Sequence, residues 1–300
     1  MNQVDLHCHT TASDGVLSPA ALVARGAGLG LKVIAITDHD STDGVAEAMA
    51  AGTKYGVVVI PGVEINTDVP GSEVHILGYF VDHADSALNE TLLRLRDGRV
   101  DRARRMAELL SAMGAPVRLE RILELAGDGA VCRPHVARAL VEAGHAATFQ
   151  DAFERYIGRN GPAYVERVKL TPLEACGLIR KARGLPVLAH PVYFDHFGKI
   201  KAAFDLDLGL VQLKEAGLVG IEVYYPGYDA IAIEYLLSQA RAYGLLVTGG
   251  TDFHGIRPNE IDLGGVYVPT KAVRRLREAW DSQKRATGTC GRAPEMGMGG

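Results

Sequence analysis

The chain has 300 residues, a formal net charge of −4, 47% hydrophobic and 23% charged residues. That is an ordinary globular composition with length for one large α/β domain, and its acidity disfavours long nucleic acid gripped on a broad basic face. Apolar runs such as 57–60 are far too short for a membrane span.

The N-terminus reads as a strand from Val4 to His9, with no basic and apolar leader before it. Ser18 then caps a helix from Pro19 to about Gly28, with proline at its first position. A strand is predicted over Lys32–Thr37, a helix over Thr42–Ala51 closed by Gly52, and strands over Val57–Pro61 and Val74–Tyr79. This alternation predicts parallel βα units. From about Ser86 the pattern turns helical, over Leu88–Met113, Arg118–Leu125, Pro134–Glu142 and Thr148–Tyr156. The arginines of the first of these, Arg94, Arg96, Arg99, Arg102, Arg104 and Arg105, read as a solvated face paired with Asp97, Asp101 and Glu108. The alternation resumes with a helix over Pro172–Arg183, a strand over Leu185–Ala189, a further helix, a strand over Val219–Tyr224, a helix over Asp229–Tyr243 and a strand over Leu245–Thr248. Val266–Pro269 is a candidate last strand. The expected organisation is therefore an α/β unit in two parts, 1–87 and 166–286, interrupted by a helical insertion over 88–165, with a glycine-rich tail over 287–300 expected to be disordered. The cysteines, Cys8, Cys132, Cys176 and Cys290, lack CxxC spacing, which predicts reduced thiols, a cytoplasmic setting and no thiolate zinc site.

His7 and His9 stand two residues apart on the first strand, so both imidazoles point to one face. His39, His75, His190 and His254 also sit at or near strand ends, as do Asp14, Asp38, Glu64 and Asp252. In a parallel barrel the C-terminal strand ends converge on one face, so scatter in sequence becomes a cluster in space. Taken singly, each is an ordinary polar strand end or helix cap; their joint placement points to a metal centre. Histidine and carboxylate without thiolate suit manganese, zinc or iron, and the number of candidates points to two or three ions.

His7-Cys8-His9 with Ser13-Asp14-Gly15, Thr37-Asp38-His39-Asp40, Gly62-Val63-Glu64, His75-Ile76-Leu77-Gly78-Tyr79, Ala189-His190-Pro191 and Thr251-Asp252-Phe253-His254 resemble, in order, the motif set of the PHP (polymerase and histidinol phosphatase) superfamily. The resemblance implies a distorted seven-stranded (β/α) barrel of amidohydrolase type, with a trinuclear metal centre that hydrolyses phosphoesters. Carried over by motif, one ion takes His7, His9, Glu64 and Asp252. A second shares Glu64 and takes His75 and His190, and a third takes Asp14, His39 and His254. Asp38 would orient an imidazole. Family likeness favours manganese, with zinc or iron compatible. Within the superfamily, Arg133-Pro134-His135-Val136-Ala137 and Gly161-Pro162-Ala163-Tyr164-Val165 resemble the branch that removes the 3′-phosphate of nucleoside 3′,5′-bisphosphates or trims short RNA from its 5′ end.

The expected chemistry is in-line attack by a metal-bridging hydroxide on adenosine 3′,5′-bisphosphate, giving AMP and phosphate. Asp252, His190 or His254 would protonate the leaving alkoxide. Arg133, at the start of a helix, is expected to hold a second phosphate with His135, Lys169 and Arg159. Tyr164, Tyr193, Phe194 and Tyr224 are candidates to stack on a base. The expected partner is a small phosphorylated nucleotide or a short RNA, with neither membrane nor protein partner inferred. Rival readings are a 5′-3′ exonuclease on short 5′-phosphorylated RNA, a histidinol-phosphate phosphatase, and a metal-binding regulatory module without turnover.

Overall fold

The computed structural model describes residues 3–69, 72–127, 131–166, 169–194, 199–202, 204–256 and 260–286. In chain order these form β1 (Val4–Asp5), α1 (Pro19–Gly28), β2 (Val33–Ile36), α2 (Val45–Tyr55), β3 (Val58–Val69) and β4 (Ser72–Tyr79). Helices α3 (Ser86–Ala112), α4 (Leu119–Ala126), α5 (Arg133–Glu142) and α6 (Phe149–Ala152) follow, the last running into a π-helical turn at Phe153–Ile157. Then come α7 (Pro172–Lys181), β5 (Leu185–Leu188), a short pair β6 (Val192–Phe194) and β7 (Ile200–Ala202), α8 (Leu206–Glu215), β8 (Gly220–Tyr224), α9 (Ala230–Tyr243), β9 (Leu246–Gly249) and α10 (Thr270–Ala286).

Seven strands form one sheet in the order β1-β2-β3-β4-β5-β8-β9. Its two edges nearly meet: Leu6 N–H donates to Gly249 C=O at 3.2 Å, and His9 N–H to Phe253 C=O at 2.9 Å. The chain is thus a nearly closed α/β barrel. Strand alternation splits the buried residues between two clusters. Val33 and Ala35 join Val4, Leu6, Leu77, Tyr79 and Val187 in one, whereas Ile34 and Ile36 pack with Leu22, Val23 and Ala48 of α1 and α2. Leu276 of α10 closes the end of the first cluster.

Local structure departs from the sequence reading in informative places. β1 is only two residues long, and Cys8 joins Phe253 through an isolated bridge. α2 begins later than expected and runs through Gly52 to a left-handed cap at Gly56. Position 52, inside the helix, is a glycine where a Cβ would strike the Val57 carbonyl oxygen and crowd Val59. β3 runs on past Pro61, and β3–β4 and β4–β5 are antiparallel, so the expected run of parallel βα units breaks at β4. Val266–Pro269 is irregular, and the predicted tail over 287–300 lies outside the described residues.

α3 has two partners. Leu88, Leu92 and Leu95 pack on the barrel with Val63, Ile76 and Ile179, while Ala103, Met106 and Leu110 join a separate cluster with Ile122, Val136, Leu140 and Ile157. Arg99 and Arg102 sit at this changeover and are buried, which overturns the reading of all the helix arginines as a solvated face. Arg104 and Arg105 do pair with Asp101 at the surface.

Candidate metal centre

The strand ends bring three sets of potential ligands together: His7, His9, Glu64 and Asp252; His9, Asp14, His39 and His254; and His39, Glu64 and His75. β1 and the turn after it supply His7 and His9, whose rings lie 5.2 Å apart. The backbone hugs them tightly, since a Cβ at Gly250 would strike His7 and one at Gly15 the carbonyl of His9. β2 delivers His39, which bridges to Glu64 on β3, and β4 delivers His75. His190 follows β5, and Asp252 and His254 follow β9. His190 and Asp252 adopt positive φ, 22° and 51°, conformations that cost a non-glycine residue on the order of 1 kcal/mol and persist where surroundings enforce them.

Glu64 is the hub. One oxygen lies 3.2 Å from His7 Nε2, 3.2 Å from His9 Nε2 and 3.0 Å from His39 Nδ1. The other lies 2.8 Å from His75 Nδ1 and 3.1 Å from His190 Nε2. Asp252 Oδ1 stands 3.3 Å from His7 Nε2 and 3.0 Å from His9 Nε2, and Asp14 Oδ1 lies 3.3 Å from His254 Nε2.

Despite these distances, His7 Nε2, both nitrogens of His9, His39 Nδ1, Asp14 Oδ1 and Glu64 Oε2 are buried without an aligned hydrogen bond. Buried polar atoms without partners are costly. Two donor atoms each about 2.1 Å from one cation, at roughly 90–105° to each other, would stand about 3.0–3.3 Å apart. The orphaned atoms and their spacings therefore fit divalent cations, and the all-nitrogen-and-oxygen donor set fits manganese, iron or zinc.

The electrostatics agree. Burial would raise the carboxyl of Glu64, but His39, His7 and His75 hold it well below the usual range. Asp14 is held low against burial by His39, His254 and His9, and Asp252 by His7, His254 and His9. Burial opposes charge on His7, yet Glu222, Glu64 and Asp252 push it well up; His254 is pushed up to about 10, chiefly by Asp14 against burial. His75 moves the other way although it touches Glu64: one carboxylate cannot charge every imidazole around it, and burial keeps His75 neutral.

Two carboxylates that sequence reasoning passed over brace the cluster. Glu222 on β8 is fully buried; one oxygen meets His7 Nδ1 at 3.0 Å and the other accepts the His190 N–H at 2.8 Å. Asp5 accepts from Thr251 N–H, Thr251 Oγ, Gly264 N–H and His7 N–H, tying β1 to the chain after β9. An acidic residue inside an apolar strand was the available signal for both. Asp38, expected to orient an imidazole, instead accepts from Thr10 N–H, Thr10 Oγ and Ser13 Oγ at 2.6–2.8 Å, fixing the loop that carries Asp14. The orienting contact belongs to Glu222.

A cavity of about 210 Å³ is lined by Asp14, His39, His75 and His254 together with Arg99, Arg102, Arg133 and Glu73. Arg99 donates to Asp40 and contacts Cys132 Sγ, and Arg102 Nε donates to Val165 C=O at 2.7 Å. Arg133 bonds Glu73 at 2.7 Å and lies over the rings of Phe153 and Tyr164. Lys169 reaches Asp68 at 2.8 Å and Glu73 at 2.6 Å, while Arg159 stands 3.8 Å from Asp68. His135 Nδ1 accepts the Cys132 N–H and so caps α5. Of the aromatic candidates, Tyr193 lines a cavity of about 250 Å³ with His75 and His190, whereas Tyr224 packs on the core clusters. Phe194 ends β6 and is only partly exposed. A wider cavity of about 870 Å³ opens from Asp252 and His254 past Phe149, Phe153 and Tyr225. Among the described residues no helix is long and apolar enough to cross a membrane.

Comparison with known proteins is consistent with this geometry. A model of the PHP domain matches residues 5–156. A 3′,5′-nucleoside bisphosphate phosphatase of Chromobacterium violaceum is 32% identical over 265 residues, covering 88% of this chain and 91% of its own. The 5′-3′ exoribonuclease Rnm of Salmonella typhimurium is 42% identical over 279 residues, covering 92% and 93%. The solved structure of a Bifidobacterium adolescentis protein assigned as a metal-dependent phosphoesterase superposes with a TM-score of 0.81 at 32% identity, covering 91% of this chain and 94% of the other.

Proposed function

The chain belongs to the PHP family of metal-dependent phosphoesterases, and from that premise we propose that it removes the 3′-phosphate of nucleoside 3′,5′-bisphosphates, adenosine 3′,5′-bisphosphate among them. The observation that carries this reading is the cavity lined by Asp14, His39, His75 and His254 together with three guanidinium groups. It suits a substrate with two anionic ends, one for the proposed metal ligands and one for arginine.

In this reading the barrel rim would hold three divalent ions, manganese by preference: His7, His9, Glu64 and Asp252 would hold one, Glu64, His75 and His190 another, and Asp14, His39 and His254 a third. Bound there, such ions lower the pKa of a water and neutralise phosphoryl oxygens, which removes the repulsion between an anionic nucleophile and an anionic ester. Glu222 fixes the tautomer of His7 by meeting its Nδ1, leaving Nε2 for the rim. Asp252 and His254 line the wide cavity and His190 the one beside it, so these three border the reacting phosphoryl group and its departing oxygen.

Residues 88–165 act as a substrate cap. Arg133 binds the distal phosphate, exchanging its bond to Glu73 for a bidentate one, with Arg99 and Arg102 adding positive field. Lys169 acts through Glu73 and Asp68, Arg159 sits at the edge of that network, and His135 holds the start of α5. Tyr164, under the guanidinium groups of Arg102 and Arg133, keeps both extended towards the cavity.

A second reading is 5′-3′ trimming of short 5′-phosphorylated RNA. The cavity of about 870 Å³ favours it, having room for more than a mononucleotide beside Phe149 and Phe153, as does the likeness to Rnm. The test is phosphate and nucleotide release by manganese-loaded protein from adenosine 3′,5′-bisphosphate, a short 5′-phosphorylated RNA and histidinol phosphate. The bisphosphate should give the highest kcat/KM. Efficient release from histidinol phosphate with none from the bisphosphate would reject the proposal, and nucleotide release from RNA alone would establish the second reading.

A further inference from the structure

We propose that Tyr225 is a positioning residue for Asp252, turning one carboxylate oxygen towards the metal cluster by holding the other. This rests on the proposed role of Asp252 as a metal ligand. Tyr225 directly follows β8, and its hydroxyl donates to Asp252 Oδ2 at 2.7 Å. Asp252 Oδ1 is the oxygen that faces His7 and His9, at 3.3 and 3.0 Å. A carboxylate attached by its backbone alone can rotate and offer either or both oxygens to a cation. A short bond from a neutral donor removes that freedom and leaves a single oxygen for the ion.

The phenol is itself held on two sides. Its ring lies 5.1 Å from His190 and 5.3 Å from Tyr228. The Tyr228 hydroxyl is anchored to Val192, donating to its C=O at 2.8 Å and accepting from its N–H at 3.2 Å. The row of mutually tilted rings His190–Tyr225–Tyr228 therefore runs from a proposed ligand of one ion to the backbone of β6, and the Tyr225 hydroxyl reaches from it to a proposed ligand of another. Tyr225 also lines both the cavity beside His75 and His190 and the one beside Asp252 and His254. Tyr228, equally aromatic and hydrogen-bonded, touches no proposed ligand through its hydroxyl and serves as the internal control.

The experiment compares wild type, Tyr225→Phe and Tyr228→Phe, each loaded with manganese and then desalted. The readouts are metal content per chain, the chelator concentration that strips half of it, Tm, and kcat and KM on adenosine 3′,5′-bisphosphate. Tyr225→Phe should need about tenfold less chelator, with kcat reduced more than KM is altered and little change in Tm. Tyr228→Phe should lower Tm and change metal retention far less than Tyr225→Phe does. Wild-type retention and kcat in Tyr225→Phe would overturn the proposal, and so would equal metal loss in Tyr228→Phe, because the ring packing rather than the Tyr225 hydroxyl would then be responsible. A wild-type chain that retains no metal would instead overturn the assignment of Asp252 as a ligand, and this inference with it.

Discussion

The barrel rim and the helical side of the cavity treat charge in opposite ways. At the rim, imidazoles and carboxylates crowd to about 3 Å with several buried atoms left unaligned. On the helical side, the charged groups already have partners: Arg99 with Asp40, Arg133 with Glu73, and Lys169 with Glu73 and Asp68. The rim is therefore incomplete without cations, and its binding energy goes to whatever supplies them. On the helical side Arg99, Arg133 and Lys169 already have carboxylate partners, so under the proposed function an incoming phosphate would have to displace a carboxylate there and would gain only the difference. The proposed function therefore expects tight, geometry-bound metal sites and a moderate, adjustable substrate contact.

Removing the hub should have the largest effect. Glu64→Ala strips an oxygen from every proposed site that shares it, so activity should fall by more than the ~10–100-fold typical of losing an outer partner, with metal content per chain dropping in parallel. Full activity in this variant would break the contrast. Protons compete for the same rim. The carboxylates are held low and His7, His9, His190 and His254 are raised, so the metal-free rim carries protons that a cation must displace. Manganese affinity should rise with pH, by about tenfold per pH unit for each proton displaced, and the rise should continue through the range in which His254, pushed up to about 10, loses its proton; titration calorimetry across pH measures this.

The helical side gives smaller responses. Arg99→Ala leaves Asp40 buried beside His39 without its guanidinium, and breaking a buried pair costs about 3–5 kcal/mol, readable as a lowered denaturant midpoint. Arg133→Ala should cost about 1.5 kcal/mol, roughly tenfold in kcat/KM, for the bisphosphate but not for a nucleoside 3′-monophosphate, which lacks the distal group. An equal loss on both substrates would place Arg133 in folding rather than recognition. Asp101→Ala, on the exposed face of α3, should change stability by less than ~0.5 kcal/mol.

Much of this was legible in the residues, because the strand ends carry their chemistry locally. The spacing of His7 and His9, and the positions of His39, Glu64 and Asp252 just past apolar runs, announce both the strands and the face they share. What stayed hidden depends on long-range packing. Arg99 and Asp101 look alike in a helical stretch rich in charge, and only the change of packing partner along α3 buries one and exposes the other. Glu222 looks like a polar interruption of a strand until β8 comes to lie beside β5 and β9. The antiparallel turn of β4 was missed because a hydrophobic run of that length fits either strand direction.

By itself, the sequence determined the α/β alternation and the atoms available to meet metal, since ligand identity and strand periodicity are properties of the local chain, and the barrel class was implied by the resemblance of its motifs. Only the tertiary structure decided which oxygen of Asp252 faces His7, which carboxylate orients that imidazole, and which cations remain paired beside the cavity. Those choices turn on differences of about an ångström between residues as far apart as Asp5 and Thr251, distances that are set when the barrel closes.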